Sequence, residues 1–326
     1  MTRFSALVGP ALIALSLTAR PLLASPATAA RPSAQTAAKT AAQPAAPGGE
    51  GLLYDYWRLE TMLTRARDQI SAGKLDAALQ TCTRARGLGL WDPRLESLVG
   101  EIHLHRGHWT EAVVALRRST MSRTDKCNLA VALTQTARSR HAEGRFADET
   151  RLLKEALSRD PQNALAHASL GLAFLQQGDR NLALSHCRQA VELAPTSADA
   201  WSSLSVVCLA AADLPQAHEA AQRAVDVSPD DPAALSNLAF LVAEEGDTAG
   251  AARLWEQATR LAPSYADAYA GLAVAQWRLG DRDRSRSLYR KAIGLDATYD
   301  DPRQLGPIHY WTPKAVKTAT EIRSAR

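Results

Sequence analysis

The sequence predicts an all-α protein: an α-solenoid of about seven helical hairpins in series, closed by a C-terminal capping helix. Three observations carry that expectation. Turn residues recur at a step of 34, from Gly73 to Gly107, from Gly144 to Gly178, and on through Ala212, Gly246 and Gly280; only the interval from Gly107 to Gly144, at 37, differs. The helix-ending prolines Pro161, Pro195, Pro229 and Pro263 keep the same step. Between turn and proline, apolar residues fall three and four apart, which is the spacing of one helical face. Length alone, at 326 residues, suggests two domains, but the fixed period overrides that prior because a solenoid grows in one dimension.

In chain order, Arg3 precedes an apolar run from Phe4 to Ala19, and small residues follow with Ala27-Thr28-Ala29. A basic start, an apolar middle and a small-residue end make residues 1–30 a secretory signal peptide. The run of 16 residues is shorter than the ~20 that span a bilayer, so cleavage near Ala29 or Ala30 is expected. Membrane attachment enters only if this segment stays uncleaved. The protein is accordingly expected to be exported, periplasmic or secreted. Residues 31–50 hold Ala, Pro, Gln and Gly with no large apolar side chain, so nothing offsets the entropy of ordering and a flexible linker is expected. Loss of Arg3 and Arg20 leaves 36 basic residues interspersed with 34 acidic ones, a balance that disfavours nucleic acid as a partner.

The solenoid is assigned to residues 51–299. Leu52, Tyr54, Tyr56 and Trp57 lead into it and are expected to cap its first face, with a ligand patch as the alternative. Hairpins follow at about 59–92, 93–126, 127–163, 164–197, 198–231, 232–265 and 266–299. Helix starts are marked by Asp92-Pro93 and Asp231-Pro232, and by caps at Asn163, Ser197 and Asp231, again 34 apart. Residues 164–197 are the cleanest unit. Leu170, Gly171 and Phe174 on its first helix match Ala183, Cys187 and Ala190 on its second, with Gly171 and Ala183 small where backbones must approach. A second stripe, Leu165, Ala168, Leu172 and Leu175, leaves the first helix apolar over most of its circumference, so further hairpins must stack on it.

The small–large–small pattern at this period resembles the tetratricopeptide repeat (TPR) family, over about residues 59–299. The resemblance implies a right-handed α-solenoid of TPR helix-turn-helix repeats. Trp201 stands at the family's tryptophan site, where neighbouring repeats carry His167, Leu235 and Tyr269. Glu149 and Ser285 replace the small alanine of the third and seventh repeats, and Ala297 stands where the last proline belongs. With the 37-residue interval, Glu149 marks residues 120–150 as the weakest joint.

In such proteins the first helices line a concave groove that holds a peptide or helix of a protein partner. The matching positions are Leu165, Leu172 and Leu175, then Ser202, Val206 and Leu209, then Asn237 and Phe240, then Val274 and Trp277. Most are apolar, so an apolar or amphipathic segment is the expected ligand, anchored at i, i+3/i+4 and i+7. Of the family's carboxylate clamp only Asn237 is present; Ser202, Val206, Asp267 and Gly271 do not complete it. The alternative is that the apolar positions are covered by tighter coiling or by the chain's own C-terminal helix.

After Thr298, Pro302, Gly306 and Pro307 forbid another hairpin. Thr312-Pro313 starts a last helix with a thin stripe of Val316, Ala319 and Ile322, the expected cap within 300–326, and Tyr310 and Trp311 are expected to seal the join.

No residue set predicts catalysis, a cofactor or a metal site. His103, His105 and His108 come nearest, but helical residues two apart point about 200° from each other. Four cysteines lack metal-ligand spacing; Cys82 and Cys187 take large-apolar sites, and Cys187 faces Cys208, where a disulfide is possible. The expected function is an exported TPR scaffold or adaptor that binds a protein partner. The alternative is a structural subunit of a larger cell-envelope complex serving pilus, secretion or outer-membrane assembly.

Overall fold

The computed structural model describes residues 50–119, 121–305 and 311–325. The expected signal segment, linker residues 31–49, Gly306, Pro307 and Tyr310 lie outside the described residues. Among the described residues there are fifteen α-helices and no strand, and no helix is long and apolar enough to cross a membrane.

The described residues divide into two compact units, one running to Ser122 and the other from Arg123. The first holds α1 (Glu50–Ser71), α2 (Leu75–Arg86), α3 (Pro93–His105) and α4 (Trp109–Leu116). The second holds five further hairpins. They are α5 (Arg123–Ala142) with α6 (Phe146–Arg159), α7 (Ala164–Gln176) with α8 (Arg180–Leu193), and α9 (Ala198–Ala210) with α10 (Leu214–Val227). Then come α11 (Pro232–Glu244) with α12 (Thr248–Leu261) and α13 (Ala266–Leu279) with α14 (Arg282–Leu295). Two 3₁₀ turns, Ala297–Asp300 and Pro302–Gln304, precede α15 (Pro313–Ser324). In the second unit each hairpin packs on the next, and each first helix also touches the first helix that follows.

Every hairpin turn needs one residue in the left-handed region. Glycine supplies it at 73, 107, 144, 178, 246 and 280, and Ala212 adopts it at φ 62° without that freedom. The residue that follows it is the N-cap of the second helix. In four hairpins an aspartate, Asp179, Asp213, Asp247 or Asp281, accepts from the backbone N–H of Leu182, Gln216, Gly250 or Arg284 at 2.7–3.2 Å. Asn163, Ser197 and Asp231 cap the first helices in the same way.

Helix pairs close on small residues. A Cβ added to Gly171 would lie 2.5 Å from Cys187 Sγ and 3.0 Å from the Ala183 carbonyl, so only glycine fits. Gly271 lies in the same way against the fully buried Trp255, whose Nε1–H donates to Ser236 Oγ at 3.0 Å. Where the small alanine is replaced, the polar side chain that stands there finds a local partner. Ser285 Oγ donates to the Ala273 carbonyl at 2.7 Å, and Glu149 Oε2 lies 2.7 Å from His141 Nδ1 with both side chains buried. The tryptophan site also has a chemical reason. Trp201 Nε1–H donates to the Pro195 carbonyl at 2.8 Å, and His167 Nε2 reaches the Pro161 carbonyl at 3.1 Å one period earlier.

Around the 37-residue interval, α4 has 8 residues and α5 has 20, against 13 in α7. Met121 there has φ 55°. The aromatic cluster at the start of α1 does not seal the first hairpin: Tyr54, Tyr56 and Trp57 are 48%, 54% and 62% exposed, and the buried stripe begins at Leu59. The reason is length. Helix α1 has 22 residues and its antiparallel partner α2 has 12, so the first turns of α1 run past the end of α2. At the other terminus α15 buries Ala315, Thr318, Ala319 and Ile322. All four cysteines are free thiols; burial pushes Cys82 up to about 11 and Cys187 well above the usual thiol range.

Candidate partner-binding face

The ten positions expected to line a groove come from α7, α9, α11 and α13, and stacking has sorted them. Leu172, Leu175, Ser202, Val206, Asn237 and Val274 are buried, whereas Leu165, Leu209, Phe240 and Trp277 keep part of their surface. A helix that is apolar over most of its circumference gives its flanks to neighbouring hairpins, so only the crest facing inward stays open.

Four of the ten converge. Val206 and Leu209 on α9, with Asn237 and Phe240 on α11, line a cavity of about 30 Å³ together with Ser205, Trp255, Asp267 and Trp311. That is room for roughly two waters, or for one small group of a ligand. Leu165, Leu172, Leu175, Ser202, Val274 and Trp277 lie outside its lining.

Asn237 is the unusual member. It is 5% exposed, and neither its Nδ2 nor its Oδ1 has a hydrogen-bond partner. Ser202 Oγ, on α9, is also buried and unpartnered. Leaving such a group unpaired costs about 1–3 kcal/mol, so buried orphans call for an explanation in what binds there. Asp267, across the cavity, accepts from the Tyr299 hydroxyl. Burial, and then the Asp267 carboxylate, hold that phenol well above its ordinary range, so it stays a donor.

Trp311 brings the C-terminal segment into the cavity's lining. Its ring is buried, 5.9 Å from Phe240 and 6.2 Å from Tyr299. It thus reaches α11, well beyond the join it was expected to seal. Helix α15 packs on both helices of the last hairpin: Ala315, Ala319 and Ile322 share a cluster with Ala270, Ala273 and Val274 of α13 and with Tyr289 and Ala292 of α14, and Trp277 Nε1–H donates to Glu321 at 3.1 Å. The Arg282 guanidinium lies over the Trp277 ring, 3.8 Å from its centre.

The inner face is more polar toward α5. Burial raises the Asp199 carboxyl and the Arg138 guanidinium lowers it, a partial offset between charges on α9 and α5. The histidines expected not to converge lie with the rings of His103 and His108 5.8 Å apart, while His105 Nε2 faces Glu101 at 4.0 Å. Sequence reasoning missed Trp311 and Ser205 as lining residues, though it placed Asp267 among the groove's clamp positions; a tryptophan just before a helix-starting Thr-Pro was the one available signal.

Family models described as tetratricopeptide repeat match residues 134–198, 174–239 and 241–300. No curated protein matches by sequence. Among solved structures, a tetratricopeptide repeat protein from Parabacteroides merdae ATCC 43184 is 16% identical, covering 82% of this chain and 99% of its own with a TM-score of 0.54. A chain of the APC/C hetero-tetramer Cut9–Hcn1 is 16% identical, covering 81% of this chain and 53% of its own at 0.52. The protein MamA is 24% identical over 49% of this chain and 94% of its own, at 0.39. At these identities the likeness is one of fold. Phased left-handed turns, glycines closing pairs such as α7–α8, and family models over residues 134–300 agree: this chain belongs to the tetratricopeptide repeat family.

Proposed function

We propose that this chain is an exported scaffold, without catalytic activity of its own, that holds a peptide or amphipathic helix of a protein partner against the inner crests of α9, α11 and α13. Tetratricopeptide repeat proteins are in general protein-interaction scaffolds, and that much follows from family. The finer reading rests on Asn237. A buried carboxamide with a free donor and a free acceptor matches the N–H and C=O of a peptide backbone, and Phe240 and Leu209 supply apolar surface beside it.

The test is selection of a random 16-residue phage-displayed peptide library on the immobilised full chain. Enriched peptides are expected to lose at least tenfold in affinity to Asn237→Ala and to Phe240→Ala; equal binding to both variants would sink the reading. Export is checked by the N-terminal sequence of the protein recovered from the cell envelope, expected to begin at Ala30 or Arg31.

A second reading, a subunit of a larger envelope assembly, is favoured by one observation: Leu53, Tyr56 and Trp57 on α1 expose 74%, 54% and 62% of their surface. If it holds, Trp57→Ser shifts the protein from a large complex to a small species in gel filtration of envelope extracts.

A further inference from the structure

We propose that residues 311–324 are an internal ligand: an aromatic anchor and a short helix that occupy the inner face until a partner segment of the same make displaces them. The inference rests on the partner-binding reading above. It adds what the partner resembles and what stands in its way.

The occupant is identified by its seat. Phe240, Val274 and Trp277 are three of the ten positions at which a partner was expected, and the chain's own Trp311, Ala315, Ala319 and Ile322 pack with them. A helix meant only to end the stack needs no contact beyond the last hairpin, α13–α14. Trp311 instead reaches back to α11 and walls a cavity that also includes Val206 and Leu209 of α9.

The fit is incomplete in the way a displaceable cover requires. Trp311 and the buried Asn237 line the same cavity, yet both polar ends of that amide remain unpartnered. Behind Trp311, α15 packs through the small side chains Ala315, Thr318 and Ala319, with Ile322 buried and Val316 partly buried beside them. Its named polar ties, Trp277 to Glu321 and Arg323 to Asp300 at 2.7 Å, join partly exposed groups, where water competes. A 12-residue helix is too short to persist by itself, so releasing these contacts releases the segment as a unit. A partner that repeats the aromatic anchor and the small-residue face, and adds a backbone amide within reach of Asn237, makes every contact the resident makes and two more. Its expected pattern is an aromatic residue, a Ser/Thr-Pro helix start, then small apolar residues at the positions of Ala315 and Ala319, and a larger one at that of Ile322.

The probe is a labelled synthetic peptide with the sequence of residues 311–325, added in trans to the full chain. Trp311→Ala in the full chain is expected to bind it at least tenfold more tightly than the unaltered chain, and adding Phe240→Ala to that variant should remove the gain. A second measurement needs no variant: amide hydrogen exchange of residues 313–324 in the unaltered chain should rise at least tenfold when the peptide saturates it. Equal affinity for the unaltered and Trp311→Ala chains, or unchanged protection at 313–324 under saturating peptide, overturns the inference. Phage-selected peptides that bind through Phe240 while 313–324 stays protected overturn this inference alone. The partner-binding reading fails separately, if such peptides bind Asn237→Ala and Phe240→Ala unchanged.

Discussion

Two neighbouring hairpins in the second unit solve one packing problem by different means. In α7–α8, Leu175 and Ala183 fill the space near the turn, and Gly171 lets the backbones close. One period earlier the same two sites in α5–α6 carry His141 and Glu149, joined at 2.7 Å and buried on both sides. The first solution depends on volume, and any added atom disturbs it. The second depends on chemical pairing, and it fails when one member is lost. The repeat thus specifies a shape at each site and leaves the chemistry that fills it open.

The largest expected effect comes from breaking the pair. Glu149→Ala strands His141, whose Nε2 already lacks a partner, and should destabilise the chain by ~3 kcal/mol in urea unfolding. His141→Leu combined with Glu149→Ala restores the composition of α7–α8 and is expected to recover most of that loss; strict additivity of the two single changes would refute the comparison. Next comes the volume-limited hairpin. Gly171→Ala, with a Cβ 2.5 Å from Cys187 Sγ, should cost ~1–3 kcal/mol, and Cys187→Ala in the same chain should relieve part of it. A smaller effect of opposite sign is expected at the turn where α9 meets α10. Ala212→Gly removes a side chain from φ 62° and should stabilise by about 1 kcal/mol, read as a raised Tm.

The smallest effect concerns pH. His186 lies with its Nδ1 2.9 Å from His167 Nδ1 and its ring stacked on Phe174, and burial, followed by the charges of His167 and Lys154, holds its imidazole below the ordinary 6.5. The unfolded chain therefore binds the proton more readily than the folded one, so stability is full above about 6.5 and declines as pH falls below it. His186→Asn should flatten the fall in Tm between pH 7 and pH 5.5; an unchanged slope would exclude His186 as its source.

Much of this was legible because the determinants are local. A glycine every 34 residues, a capping Asn, Ser or Asp, and a small residue opposite a small residue each act within one hairpin. The aspartate caps of the second helices carried the same period and were as readable as the first-helix caps. What could not be read is how one helix divides its apolar circumference. Leu172 and Leu209 look alike in sequence, yet one is buried by the adjacent hairpins and the other faces the cavity. The reach of Trp311 depends on the path the chain takes after Leu295, which no periodic signal governs. The exposure of Tyr56 and Trp57 follows from the unequal lengths of α1 and α2, a quantity set by where α2 ends.

The aspartates at 179, 213, 247 and 281 each bind a backbone N–H three residues on, inside their own hairpin. Because each such start is secured without help from a neighbour, duplication or excision of a 34-residue block from the gene would carry its own punctuation along. Such a chain can change its reach by whole modules while every remaining module keeps its own beginning.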